Sequence, residues 1–431
     1  MMRSSRLPVP AVRQAVCWAA IAAALCCAAP AQAQLGLPRL RLPSLPVELP
    51  RLPGALAPEA LPNPTSLRLT SVRQLLRDHP DLLEADPAGE PMRRQELLLV
   101  SPAAALVDAA VALGFVVLRE QWLAELALRQ LVLRPPPGWS TAEALERLRA
   151  LEPQVEADFN HVYTRSGETS ASVSAAPGSA ATSRRVGLID SGLDRQHAAL
   201  RDADLRTWGC NDVAAPSPHG TAVASLLVGR DVKFAGVAAG SVLYAADIYC
   251  GQPAGGAAEN IASALAWLAR EQVAVVNISL VGPANRLLER AVQAMNRKGH
   301  LLVAAVGNDG PAAPPLYPAA YPGVVGVTAV TSARRVLPEA AQGPQVMFAA
   351  PGADLAVAQA GGGYSWARGT SFAAPIVAGL LAERLRAPDQ AGAAAALAHL
   401  ADSAIDLGAP GRDPVYGFGL VGEHALMAPR H

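Results

Sequence analysis

From Val186 onward, six apolar runs of strand length alternate with stretches of helical periodicity. The runs are "VGLID", "SVLYAADIY", "VAVVNISL", "HLLVAAVG", "VVGVTAV" and "VMFAA". Helices are expected to start near His219, Ala257, Asn285, Thr370 and Gln390. Strands that are apolar at nearly every position are buried on both faces, and strands separated by helices pair in parallel. The expected fold class is therefore α/β, a mostly parallel sheet with helices on both faces. In such sheets ligands bind beyond the carboxyl ends of the strands. Hydrophobic residues make up 51% of the chain but aromatics only 4%, so Ala, Leu, Val and Gly must do the packing. Basic and acidic residues balance at 36 each. No basic patch or charge run points to a nucleic acid or to a membrane surface.

The N-terminal part has a different organisation. Arg3, Arg6 and Arg13 precede "AVCWAAIAAALCCAA" and a small-x-small site, the pattern of a signal peptide over residues 1–33 cleaved between Ala33 and Gln34. A membrane anchor is the alternative, but the run is short for a bilayer span. Export to the periplasm, cell surface or medium is expected, with no stable membrane span in the mature chain. Residues 34–65 repeat Leu-Pro units, which favour an extended spacer without a core. Residues 66–163 read as a leading helix and then β-α-β-β-α-β, a small ferredoxin-like α+β sandwich. Residues 164–185 are rich in Ser, Ala and Gly and are expected to be a flexible linker before a domain over residues 186–426. Only Cys210 and Cys250 remain after signal removal. In an oxidising compartment they are expected to pair, the alternative being two separate buried thiols.

Four polar residues stand at the mouths of these strands and helices. Asp190 ends "VGLID", His219 opens "HGTAVASLLVG", Asn308 ends "LLVAAVGN", and Ser371 lies in "GTSFAAP" at the start of a helix. Singly, each has an ordinary structural explanation: a turn cap, a buried histidine, a turn residue, an N-cap. Together their order Asp, His, Asn, Ser is similar to that of subtilisin-like enzymes. The blocks "DSGLD", "HGTAVASLL", "AAVGN" and "GTSFAAP", with "NISLVGP" and "YGFGLV", resemble the subtilase family of serine peptidases from Val186 to about Gly422.

That resemblance implies a serine endopeptidase with Ser371 as nucleophile, His219 as general base and then acid, and Asp190 orienting the imidazole. Asn308 would donate to the oxyanion beside the Ser371 N–H, at the positive end of a helix. Ser279, Leu280 and Gly282 would line the substrate cleft; the family more often has Gly-Gly where Val281 and Gly282 stand. His197 lacks the Gly-Thr helix start and is read as structural. The ferredoxin-like domain resembles the family's propeptide, an intramolecular inhibitor and folding aid. Its ending "NHVY" implies self-cleavage between Tyr163 and Thr164, hence a pocket for a large aromatic residue. Neither "SLVGP" nor "AAVGN" contains an acidic residue, so no basic preference is expected. The expected partners are protein or peptide substrates. No cofactor is expected; structural calcium occurs in the family, but no Asp-rich ligand loop stands out. A catalytically silent binding protein on the same fold, or a stable accessory domain in place of a propeptide, are the competing readings.

Overall fold

The computed structural model describes residues 64–173, 184–231 and 234–423. The expected signal peptide, the Leu/Pro-rich segment up to residue 63, linker residues 174–183 and the stretch beyond 423 lie outside the described residues. The N-terminal part comprises α1 (Pro64–Asp78), β1 (Leu83–Ala85), β2 (Pro91–Val100), α2 (Ala104–Ala112), β3 (Val116–Leu123), β4 (Leu128–Arg134), α3 (Thr141–Leu151) and β5 (Ala157–His161). Pro64 and Thr65 thus belong to α1 rather than to the spacer. Strands pair in the antiparallel order β3-β4-β2-β5, the expected split-βαβ arrangement, with β1 added along the start of β2. Ser140 caps α3 by accepting from the Glu143 N–H.

The run "LLLV" in β2 is apolar at every position because both its faces are covered. Leu97 and Leu99 pack with Leu131, Leu133, Leu145 and Leu148 inside the small domain. Leu98 and Val100 point the other way, into a core shared with Ile261, Leu265, Leu287 and Val292 of the domain that follows.

The chain continues through β6 (Thr164–Arg165), β7 (Glu168–Val173), β8 (Arg185–Asp190), β9 (Leu205–Trp208), α4 (Pro218–Val228) and the paired β10 (Arg230–Asp231) and β11 (Phe234–Ala235). Then come β12 (Val242–Asp247), α5 (Ala258–Arg270), β13 (Val275–Ile278), β14 (Leu280–Val281), α6 (Arg286–Arg297), β15 (Leu301–Ala305) and β16 (Val324–Val330). The last elements are β17 (Val346–Pro351), β18 (Leu355–Ala358), β19 (Tyr364–Arg368), α7 (Thr370–Ala382) and α8 (Gln390–Asp402). Seven strands form a parallel sheet in the order β17-β16-β15-β13-β8-β12-β9. Along β15, Leu301, Val303 and Ala305 pack in the core with α4, α7 and α8, while Leu302 and Ala304 join the core with α5 and α6. The chain leaves β8 toward one side of the sheet and returns to it at β13, so these two strands flank the switch point.

The expected flexible linker is corrected over its first ten residues. Thr164–Arg165 pairs antiparallel with Leu280–Val281, and Glu168–Val173 pairs antiparallel with Tyr364–Arg368. A polar segment with no apolar period gives no local sign of a strand. Here the strand is imposed by two edges that need partners.

The Cys210 and Cys250 sulfurs lie 2.16 Å apart, at disulfide distance, joining the end of β9 to the turn after β12. With a sequence separation of 40, such a link should stabilise the fold by about 3–4 kcal/mol in the chain-entropy picture. Denaturant titration of Cys210→Ala/Cys250→Ala in a Ser371→Ala background is expected to show that loss. An unchanged midpoint would show that the link contributes nothing.

Candidate active site

β8 delivers Asp190 to the carboxyl edge of the sheet, where it is fully buried. His219 sits in the first turn of α4, which is buried along nearly its whole length and therefore built from Ala, Ser, Leu and Val. The His219 Nδ1 lies 2.9 and 3.0 Å from the two Asp190 carboxylate oxygens. Asp190 Oδ1 also accepts from the Ser191 N–H at 2.7 Å and the Ser191 hydroxyl at 2.9 Å. The carboxylate is thus held by its own turn as well as by the imidazole. The other ring nitrogen, Nε2, is buried and has no hydrogen-bond partner.

Ser371 is the second residue of α7, and its hydroxyl is not hydrogen-bonded to His219 Nε2. Its hydroxyl lies 2.9 Å from the Ser166 hydroxyl and donates to the Ser279 carbonyl at 3.2 Å. Its backbone N–H donates to the Ser166 carbonyl at 3.2 Å. Asn308 Oδ1 accepts from the Thr370 N–H at 3.1 Å, leaving the amide nitrogen as donor. Gly369, at φ +134°, is required where it stands. A Cβ there would come within 2.7 Å of the Gly167 Cα and 2.9 Å of the Asn308 amide nitrogen.

The chain's own residues 163–167 therefore run through the site. Leu280 pairs with Arg165 and Val281 with Thr164. Ser279 precedes this pairing, its hydroxyl donating to the Ser371 carbonyl at 2.9 Å. Gly282 backs the ring of Tyr163: a Cβ on it would fall 2.6 Å from that ring. Tyr163 is fully buried and its hydroxyl donates to the Pro283 carbonyl at 2.6 Å. Its N–H donates to the Gly256 carbonyl, and its own carbonyl accepts from the Tyr249 hydroxyl at 2.7 Å. The expected scissile carbonyl of Tyr163 is thus occupied by Tyr249, and Ser166 holds the position against Ser371.

A model of the subtilase family matches residues 182–419. The chain belongs to the subtilase family. It is 32% identical over 245 residues to the minor extracellular protease Epr of Bacillus subtilis, covering 55% of this chain and 37% of that protein. It is 32% identical over 207 residues to subtilisin of Bacillus pumilus, covering 46% of this chain and 75% of that one. The chain spans only about half the length of several other curated relatives, 45% of the halolysin-like extracellular serine protease Nep of Natrialba magadii and 54% of subtilisin E of Bacillus subtilis. Among solved structures, fervidolysin from Fervidobacterium pennivorans, a keratinolytic enzyme related to subtilisin, superposes with a TM-score of 0.63 at 19% identity. That match covers 81% of this chain and 62% of fervidolysin, and it speaks to the fold alone. The self-cleaved protease domain of PatA matches at 28% identity with a TM-score of 0.50, over 56% of this chain and 94% of that one.

In this subtilase His197 is tied into the fold: its Nε2 lies 2.6 Å from the Gly363 carbonyl and its Nδ1 accepts from the Ala199 N–H. Among the described residues, one group of three metal-ligand types converges, Cys210, Asp247 and Cys250. Its sulfurs are at bonding distance from each other and Asp247 accepts from the Tyr249 and Cys250 N–H groups, so the set does not suit calcium. No helix among the described residues is long and apolar enough to cross a membrane.

Sequence reading missed the small domain's charged grip on this site. Asp309 directly follows Asn308 and lay one residue beyond the "AAVGN" block. Arg68 of α1 donates to Asp309 and, with two nitrogens, to Glu90 at 2.9 and 2.6 Å. Arg93 and Arg119 both bind Glu259 on α5, which is buried, and Asn285 at the start of α6 donates to the Phe159 carbonyl. Burial pushes the Asp309 carboxyl above its usual range, and the Arg68 guanidinium opposes that rise. Arg68→Ala should therefore lower the stability of the uncut chain by about 2–3 kcal/mol at neutral pH. A carboxyl whose folded pKa is raised binds its proton more readily folded than unfolded, so stability recovers as pH falls through that pKa. The deficit of Arg68→Ala should accordingly be smaller at pH 5 than at pH 7.5 in paired denaturation curves. A deficit that grows on acidification would contradict the placement of a buried Asp309 charge.

Proposed function

We propose that this subtilase is an exported serine endopeptidase made as a self-processing zymogen. The observation that carries the reading is the buried Asp190–His219 pair, its imidazole 5.4 Å from the ring of Phe372 next to Ser371, with the chain's own backbone laid along Leu280–Val281. In this reading the Ser371 hydroxyl turns from Ser166 toward His219 Nε2, which takes its proton as the oxygen attacks a peptide carbonyl. Asp190 holds the proton on Nδ1 and stabilises the imidazolium that forms. The Ser371 N–H and the Asn308 amide nitrogen stabilise the oxyanion. His219 then protonates the leaving amine, and water releases the acyl group by the same route reversed. Ser279, Leu280 and Gly282 form the wall along which an extended substrate adds a strand.

The small domain is the inhibitor in this reading, and its buried face on α5 and α6 is consistent with a folding template for them. The relatives named as extracellular proteases support export. The reaction as written uses no metal or cofactor. Ser371→Ala should abolish turnover and self-processing, a loss of about a millionfold in kcat on the scale measured for subtilisin. Asn308→Ala should cost less, roughly a hundred- to a thousandfold. A fluorophosphonate probe should label the mature protein and spare Ser371→Ala. A wild-type protein that cleaves nothing and takes no label would instead be a silent binding protein on this fold.

A further inference from the structure

We infer that the bond this chain is built to cut in itself is Ser166–Gly167, with Tyr163 as the anchor that sets the register. This rests on the reading of Ser371 as nucleophile and names the bond and substrate class for that site. Three sets of contacts agree on it. The Ser166 carbonyl accepts from the Ser371 N–H, the amide that would hold an oxyanion, while the two hydroxyls lie 2.9 Å apart. Upstream, the pairing of Arg165 with Leu280 and Thr164 with Val281 leaves Ser166 as the next residue, beside the start of α7. Tyr163 closes that end, fully buried against Gly282, so the register cannot slip by a residue without expelling the ring into backbone. Downstream, Glu168 pairs with Arg368, so the chain on the far side of Gly167 is held by the strand that leads into Ser371.

Gly167 itself, at φ +138°, has no room for a side chain, since a Cβ would lie 2.7 Å from the Phe372 ring. The bond is therefore flanked by two small residues in a site too tight for larger ones on the glycine side. In the step, the Ser371 oxygen bonds to the Ser166 carbonyl carbon and gives its proton to His219. The Ser166–Gly167 C–N bond then breaks, and His219 returns the proton to the Gly167 nitrogen. Water hydrolyses the resulting ester, leaving a carboxylate on Ser166 and a mature chain that begins "GETS". Substrates cut in trans would share the pattern: a large aromatic residue as the fourth before the bond and a small residue on each side of it.

The test is intact mass and terminal sequencing of both products from freshly processed full-length protein. The released domain should end at Ser166, a terminus less exposed to later trimming than the new N-terminus. In parallel, the mature enzyme is given the synthetic peptide "FNHVYTRSGETSA" and the same peptide with Ala in place of Tyr. The first should be cut between Ser and Gly. The second should show kcat/KM lower by roughly 10- to 100-fold, the rate equivalent of burying one aromatic ring. Because the peptides bypass folding, a variant that fails to mature does not blur the result. An active, fluorophosphonate-labelled enzyme that cuts after Tyr, or is indifferent to that Tyr, overturns this inference alone. Protein that takes no label and cuts neither peptide overturns the nucleophile reading on which it rests.

Discussion

A helix buried from its first residue must find acceptors for amide groups that water cannot reach. α7 is such a helix: Thr370 and Ser371 are fully buried, as is nearly every residue behind them. The Thr370 N–H is satisfied by the Asn308 side chain, and the Ser371 N–H by the carbonyl of Ser166. The rest of the site follows from this constraint. Asn308 is fixed because its oxygen is already committed, which aims its nitrogen at the same small volume. The second acceptor is supplied by a segment of chain that cleavage would free, so an unsatisfied dry amide is what a departing product leaves for the next carbonyl. Small residues crowd this end of α7 for the same reason, since Gly369 and Gly167 must approach each other closely.

The small domain holds that segment in place by covering two helices. The middle strands of its sheet, β2 and β4, are covered on both faces, one against its own α2 and α3 and one against α5 and α6. Apolar burial supplies the attraction but little orientation. Orientation comes from largely buried carboxylates and the arginines that meet them: Glu259 between Arg93 and Arg119, and Asp309 with Glu90 around Arg68. Ion pairs of this kind add little net stability because their desolvation is costly, yet a displaced partner leaves a buried charge. They therefore select one docking geometry. In that geometry β5 ends where Val162 bridges Ala257, Tyr163 enters its pocket and β6 meets β14.

Much of this was legible in the residues themselves. Strands such as "LLVAA" and "VVGVTAV" announce burial on both faces, Asp190 and Asn308 stand as polar residues where apolar runs end, and Ser371 stands where a helix begins. The order β-α-β-β-α-β was readable because hydrophobic period is local. Asp309 was missed although it is adjacent to Asn308, because its importance depends on Arg68, 241 residues away in sequence.

The sequence by itself determined which side chains stand at the mouth of the sheet, because hydrophobic period places strand ends and chain order then distributes Asp190, His219, Asn308 and Ser371 among them. Only the tertiary structure decided which peptide bond lies against Ser371. "TRSGETSASV" has no apolar rhythm, and its strands exist only because β14 and β19 offer open edges. The register there is set by one buried ring, Tyr163 against Gly282, and by one amide, Ser371 to Ser166. Those partners lie more than a hundred residues apart in the chain. No local pattern can encode a distance that exists only after the sheet, the helix and the small domain have packed.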